Sequence, residues 1–165
     1  MVRTAHPTWK RKSMKIQVQT APFDLNTEVA ALYATNPKVG AVATFLGLVR
    51  DVNEGDGVAT LTLEHYPGMT EKALAKIVGE AQGRWDILDC TVIHRVGELK
   101  PTEPIVLVAV ASGHRQDAFA ACAFIMDYLK TQAPFWKKEV TPQGERWVEA
   151  RESDDAAAAR WQSKN

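Results

Sequence analysis

Three lysines crowd an apolar knot in the stretch DYLKTQAPFWKKE. Lys130 precedes Ala133, Pro134, Phe135 and Trp136, and Lys137 and Lys138 follow them. Amines set among aromatic rings suit a negatively charged ligand. A second group lies in AVASGHRQD, residues 109–117, where an apolar run ends in Ser112-Gly113 and a helical pattern begins. Helix starts leave backbone N–H groups unpaired and favour anions. Arg115 adds a fork that matches phosphate or carboxylate, and His114 adds a further donor. A third candidate, Arg50, closes the strand-like run FLGLVRD just before a polar loop.

Each group also has a plain structural reading. Lys130 in a last helical turn complements the helix dipole. Ser112 can act as a helix cap. Arg50 can pair with Asp51, Glu54 or Asp56. On a strand, Lys137 and Lys138 point to opposite faces, so one turns inward while the other is solvated. Pro134 interrupts the helix between Lys130 and Lys137, and only a fold-back brings those two amines together. In LEHYPGM, Glu64 and His65 face opposite sides of a regular strand and cannot serve one centre. His94, Arg95 and Glu98 fit a satisfied or cross-paired role. Ser112 and His114 stand too close in sequence to be read as a triad pair.

The elements that must position these residues follow from period and punctuation. KIQVQT alternates as an edge strand, and Asn26 or Thr27 caps a short helix EVAALYAT. Residues 39–50 and 58–66 read as strands around a polar loop, 51–57. In the second strand Leu61, Leu63 and His65 share one face. Thr70 caps a helix whose Leu74, Ile77, Val78 and Ala81 form an apolar stripe. Residues 88–99 read as one strand. IVLVAVAS, 105–112, reads as a central strand covered on both faces. A helix of about 25 Å follows and stops at Pro134. WKKEVT and ERWVEA form a hairpin across Pro142-Gln143-Gly144. Helices alternating with strand pairs predict an α+β fold with helices on one face of a mainly antiparallel sheet.

Composition narrows the function. The 165 residues carry 20 Lys and Arg against 20 Asp and Glu, for zero net charge. That disfavours a general nucleic-acid binder, whose affinity rests on neutralising phosphates. Apolar residues at 45% and charged residues at 24% describe a soluble globular chain. No apolar run approaches the ~20 residues that span a bilayer. Cys90 and Cys122 sit in apolar runs with no CxxC spacing, which predicts buried free thiols and a cytoplasmic location. Neither a metal site nor a nucleotide loop is present in the spacing. The expected organisation is a basic extension over 1–13, one domain over 14–155 and a tail over 156–165.

The blocks FLGLVRD, LTLEHYPGMTEKALAKIV, RWDILDCTVIHRVGEL, VASGHR, AFIMDYLKTQAPFWKKE and GERWVEARESD occur in order. Together they resemble the large, catalytic subunit of molybdopterin synthase over residues 15–155. The resemblance implies an α/β hammerhead fold with an added β-rich subdomain. It implies a sulfurtransferase that converts cyclic pyranopterin monophosphate (precursor Z) to molybdopterin by forming a dithiolene. The sulfur would come from the C-terminal Gly-Gly thiocarboxylate of a small ubiquitin-like subunit, with no permanently bound cofactor. Two large subunits would form a central homodimer within a heterotetramer. Lys130 and Lys137 take the family's catalytic positions. Leu48, Val49, Arg50, His114, Arg115, Lys130, Lys137, Lys138 and Glu139 take its substrate-binding positions. Some members carry a basic residue where this chain has Leu48, which shifts the anion pocket onto Arg50, His114 and Arg115. A lysine amine, with an ordinary pKa of about 10.4, acts as base or nucleophile only when burial or a neighbouring cation lowers it; as an ammonium it stabilises developing charge without any shift. The alternative reading is a non-catalytic dimeric module that binds a phosphorylated metabolite or a ubiquitin-like partner.

Overall fold

The computed structural model describes residues 14–53, 56–57, 59–148 and 152–162. In chain order the elements are β1 (Lys15–Gln19), α1 (Leu25–Tyr33), β2 (Ala41–Leu48), β3 (Val52–Asn53), β4 (Asp56–Gly57), β5 (Thr60–His65), α2 (Met69–Arg84), β6 (Asp89–Arg95), β7 (Gly97–Leu99), β8 (Pro104–Ser112), α3 (Arg115–Gln132), β9 (Phe135–Thr141), β10 (Gly144–Val148) and α4 (Glu152–Ala159). The first sheet runs β1-β6-β8-β2, parallel only between β1 and β6. The second is antiparallel throughout and runs β10-β9-β5-β7. A short β3–β4 ladder forms inside the polar loop.

β8 is central in the first sheet and both its faces are buried, as its unbroken apolar run predicts. Val106, Val108 and Val110 pack under α2 and α3 with Leu74, Ile77, Phe124 and Ile125. Leu107, Ala109 and Ala111 face the other way and meet Leu32 of α1. Helices therefore cover both faces of this sheet. The expectation of a single helical face fails because every second residue of β8 is as apolar as its neighbour, so each face needs a cover. The second sheet is different. Leu61, Leu63 and Leu99 bury its inner face with Val49 and Val96, while Trp136 and Trp147 stay exposed on its outer face.

Four local readings change. Asp24 caps α1, its carboxylate accepting the Thr27 N–H at 2.8 Å, so the helix begins earlier than Asn26 or Thr27 as cap would allow. Gly68, not Thr70, precedes α2, with the Glu71 carboxylate accepting the Gly68 N–H at 2.6 Å. The strand expected over 88–99 divides, because Gly97 takes φ +87° and sends β6 and β7 into different sheets. Beyond residue 155, α4 lays buried Ala158 on the domain, and Trp161 meets the rings of Trp85 at 5.5 Å and Phe124 at 5.6 Å. The Asp127 carboxylate accepts from Trp161 Nε1 at 2.7 Å and from Arg160 at 2.8 Å. The extension expected over 1–13 lies outside the described residues.

Candidate active site

α3 ends where Ala133 turns extended, at φ −82° and ψ 129°, the conformation a residue before proline prefers. Phe135 then donates its N–H to the Ala133 carbonyl at 2.9 Å, and β9 begins at once. The reversal is pinned from outside. Thr70, fully buried, donates its hydroxyl proton to the Pro134 carbonyl at 3.1 Å and accepts the Tyr66 N–H at 3.0 Å. β9 pairs with β5 so that Phe135 lies opposite His65 and Lys137 opposite Leu63. This is the fold-back that two amines flanking Pro134 require.

Phe135 seats on a residue that sequence reasoning treated as structural. His94, 5% exposed, lies on β6 with its ring stacked on Phe135 at 3.9 Å and 21°. Its Nδ1 stands 2.8 Å from the Arg95 carbonyl oxygen. Burial pulls the imidazole pKa down to about 3; the Arg95 hydrogen bond opposes this, and the positive charges of Lys130, Lys137 and His65 reinforce it. The fields of both lysines thus reach one buried ring, although Lys130 itself is exposed. His65 holds Glu71 at 3.7 Å, while Glu64 faces the opposite side. The available signal was the row Cys90, Val92, His94, in which one polar residue ends an otherwise apolar face.

The other candidates divide. Lys137 is half-buried on the inner face of β9 with Phe135 and Glu139. Lys138 points the other way, 3.6 Å from Glu145 and 5.8 Å from the Trp147 ring centroid, because side chains alternate along a strand. Within one chain it stands apart from the two amines. Glu139 is buried and bonded to Arg146 at 3.2 Å. At the end of β2, Leu48 is 49% exposed and Arg50 is exposed. Val49 is buried, with its N–H on the Glu103 carbonyl at 3.0 Å and its own carbonyl accepting from Thr102 at 2.9 Å. These two bonds anchor the backbone that carries Arg50.

His114 and Arg115 are exposed at the start of α3. The His114 N–H reaches Ser112 Oγ at 3.5 Å, and its side chain makes no capping bond. Fifteen residues of helix separate Arg115 from Lys130, about 22 Å along the axis. Arg50 lies towards the Lys130 end, since Leu48 pairs with Pro104 at the start of β8 and α3 returns antiparallel to that strand. One chain therefore gathers Arg50, Lys130 and Lys137 at one end and holds His114 and Arg115 at the other.

Cys90 and Cys122 are buried free thiols. Burial pushes Cys122 up to about 11 and Cys90 above the usual thiol range, so neither is poised as a nucleophile. Among the described residues no group of three His, Cys, Asp or Glu could hold a metal ion, and no helix is long and apolar enough to cross a membrane.

An α+β chain of two sheets, with a lysine on either side of the Pro134 reversal, has clear relatives. The family model described as MoaE protein matches residues 18–132. A molybdopterin synthase catalytic subunit from Ralstonia nicotianae is 66% identical over 146 residues, covering 88% of this chain and 83% of that protein. The solved molybdopterin biosynthesis MoaE protein from Burkholderia ambifaria superposes with TM-score 0.78 at 61% identity, over 92% of this chain and 99% of that one. The same fold recurs, with TM-score 0.68 and 18% identity over 82% of this chain and 91% of that one, in a complex of subunits 1 and 2 of molybdopterin-converting factor from Helicobacter pylori. The chain belongs to the MoaE family.

Proposed function

We propose that this chain is the catalytic subunit of a molybdopterin synthase, a cytoplasmic sulfurtransferase that builds the dithiolene of molybdopterin on precursor Z. The observation that carries the reading is the reversal at Pro134, which turns the chain from Lys130 at the end of α3 into β9, with Phe135 stacked on His94 and Lys137 on the inner face of the second sheet. Sulfur arrives as the thiocarboxylate at the Gly-Gly terminus of a small ubiquitin-like subunit, and no cofactor stays bound. Glycine lets such a tail run close to channel walls. Lys130 is the essential amine, as ammonium or as nucleophile at the carrier carbonyl, and Lys137 holds substrate beside it.

The phosphate of the pterin needs Arg50 together with His114 and Arg115, and the length of α3 keeps these apart in one chain. A second copy resolves the conflict. Among the described residues β2 has β8 as its only neighbour, and its unpaired edge carries exposed Phe45 and Leu48. Two such edges paired antiparallel about a two-fold axis run past each other over about 24 Å. Gly40 donates its N–H to the Ser112 carbonyl at 2.9 Å, and any side chain at Gly40 would collide with the Gly113 carbonyl. The start of β2 is thereby tied to the His114 turn. Antiparallel pairing brings that turn of one copy beside Arg50 of the other. In this homodimer each site draws Lys130, Lys137 and Arg50 from one copy and His114 and Arg115 from its twin.

Mixing tests both statements. At pterin well below KM, Lys130→Ala chains are inactive and Arg115→Ala chains keep about a tenth of the rate; co-refolded with thiocarboxylated small subunit they recover up to about half the wild-type rate per mixed dimer, because one of the two sites is then intact. No recovery on mixing would remove the shared site. Full activity of Lys130→Ala alone would instead favour a non-catalytic binding module.

A further inference from the structure

His94 closes the row Cys90, Val92, His94 on β6, opposite Val106 of β8 and Val18 of β1. The first two members are fully buried under α2 and α3. Another apolar side chain in the third place would extend the core but leave the Arg95 carbonyl without the bond it now accepts. A carboxylate there would form ion pairs with the neighbouring lysines and hold them fast. The imidazole does neither. A carbonyl oxygen only accepts, so Nδ1 carries the proton and Nε2 keeps its lone pair. The neutral ring is flat enough to stack on Phe135, and Phe135 begins the strand that bears Lys137 two residues on.

We infer that His94 is a positioning residue for the two lysines: a buried imidazole that seats Phe135 and so sets the spacing between Lys130 on α3 and Lys137 on β9. The inference rests on the proposed activity for its meaning, though not for its geometry. The titratable groups that act on the ring are Lys130 from α3, Lys137 from β9 and His65 from β5, with Glu71 of α2 3.7 Å from His65. Both lysines favour the neutral ring, and burial favours it more. His94 thus adds no third positive charge where an anionic substrate and an electrophilic carbonyl must meet the amines.

Two measurements test this. In the intact dimer, nitrogen NMR of the imidazoles should show His94 as the Nδ1–H tautomer, uncharged down to pH about 5, and its titration should move to higher pH in Lys130→Ala or Lys137→Ala because a repelling cation is gone. A ring that titrates near pH 6.5 and ignores both substitutions would overturn the placement whether or not the chain is a molybdopterin synthase. With the thiocarboxylated partner, His94→Phe keeps the stack and loses the hydrogen bond, and His94→Asn keeps a donor and loses the stack. Each folded variant should lose at least about 10-fold in kcat while KM for the pterin stays within about 2-fold. A folded His94→Phe protein with wild-type kcat at every pH would reduce His94 to core packing.

Discussion

Helix α3 carries cationic groups at both ends, in opposite settings. At its C-terminal end Lys130 leads into a strand reversal held by Thr70, and its charge acts on the buried His94 imidazole together with that of Lys137. At its N-terminal end His114 and Arg115 project from an exposed turn tied by the approach of Gly40 and by bonds of Ser112 and Asp117 to the Asp86 backbone. In the proposed reading the first end is a preorganised half-site within one fold, and the second is a donor group for the site of the twin copy. Charge and residue type do not distinguish them; the number of elements that converge on each does.

The contrast can be broken at either end. Lys130→Ala should lower kcat about 10³-fold, roughly 4 kcal/mol of transition-state stabilisation, with the melting temperature within about 2 °C because the side chain is exposed. Loss of folding in place of loss of rate would make the C-terminal end a structural strut. Next comes acid. His94 sits at about 3 in the fold against about 6.5 unfolded, so the unfolded chain binds the extra proton between these values. Stability is therefore fully present above pH about 6.5 and falls as pH drops towards 3, by about 3–5 kcal/mol from this group. Denaturant titrations across that range should show the slope, and His94→Phe should flatten it.

Smaller effects sharpen the comparison. Arg115→Ala should raise KM for the pterin about 10-fold and leave kcat nearly unchanged, as expected of a charge-assisted contact made equally in ground and transition states. A fall in kcat alone would move Arg115 into the chemistry. Thr70→Val removes the partner of both the Tyr66 N–H and the Pro134 carbonyl and should cost about 1–2 kcal/mol in unfolding free energy. Because that bond pins the Pro134 reversal, the same variant should also lower kcat, by less than Lys130→Ala does. Wild-type kcat in a destabilised Thr70→Val protein would separate the reversal from catalysis.

Much of the fold was legible in the chain because its signals are local. Period two along β5 put Leu61, Leu63 and His65 on one face, the β-branched run of β8 marked a central strand, and Pro134 ended α3. Alternation alone required Lys137 and Lys138 to diverge. The misread points are those where a neighbour distant in sequence decides. Thr70 suits a helix cap, yet its hydroxyl is taken by Pro134, 64 residues away. His94 resembles any satisfied strand histidine until Phe135 and two lysines arrive around it.

By itself, then, the sequence determined which segments are helices and strands, which side chains of each strand share a face, and the family to which the blocks belong. Tertiary structure alone decided that β9 folds back to set Phe135 on His94 beside Lys137, and that Arg115 stands a helix length away from Lys130. The physical reason is range: torsional preference and hydrophobic period act over a few residues, whereas charges and rings meet only after the sheets have brought remote strands within a few ångströms.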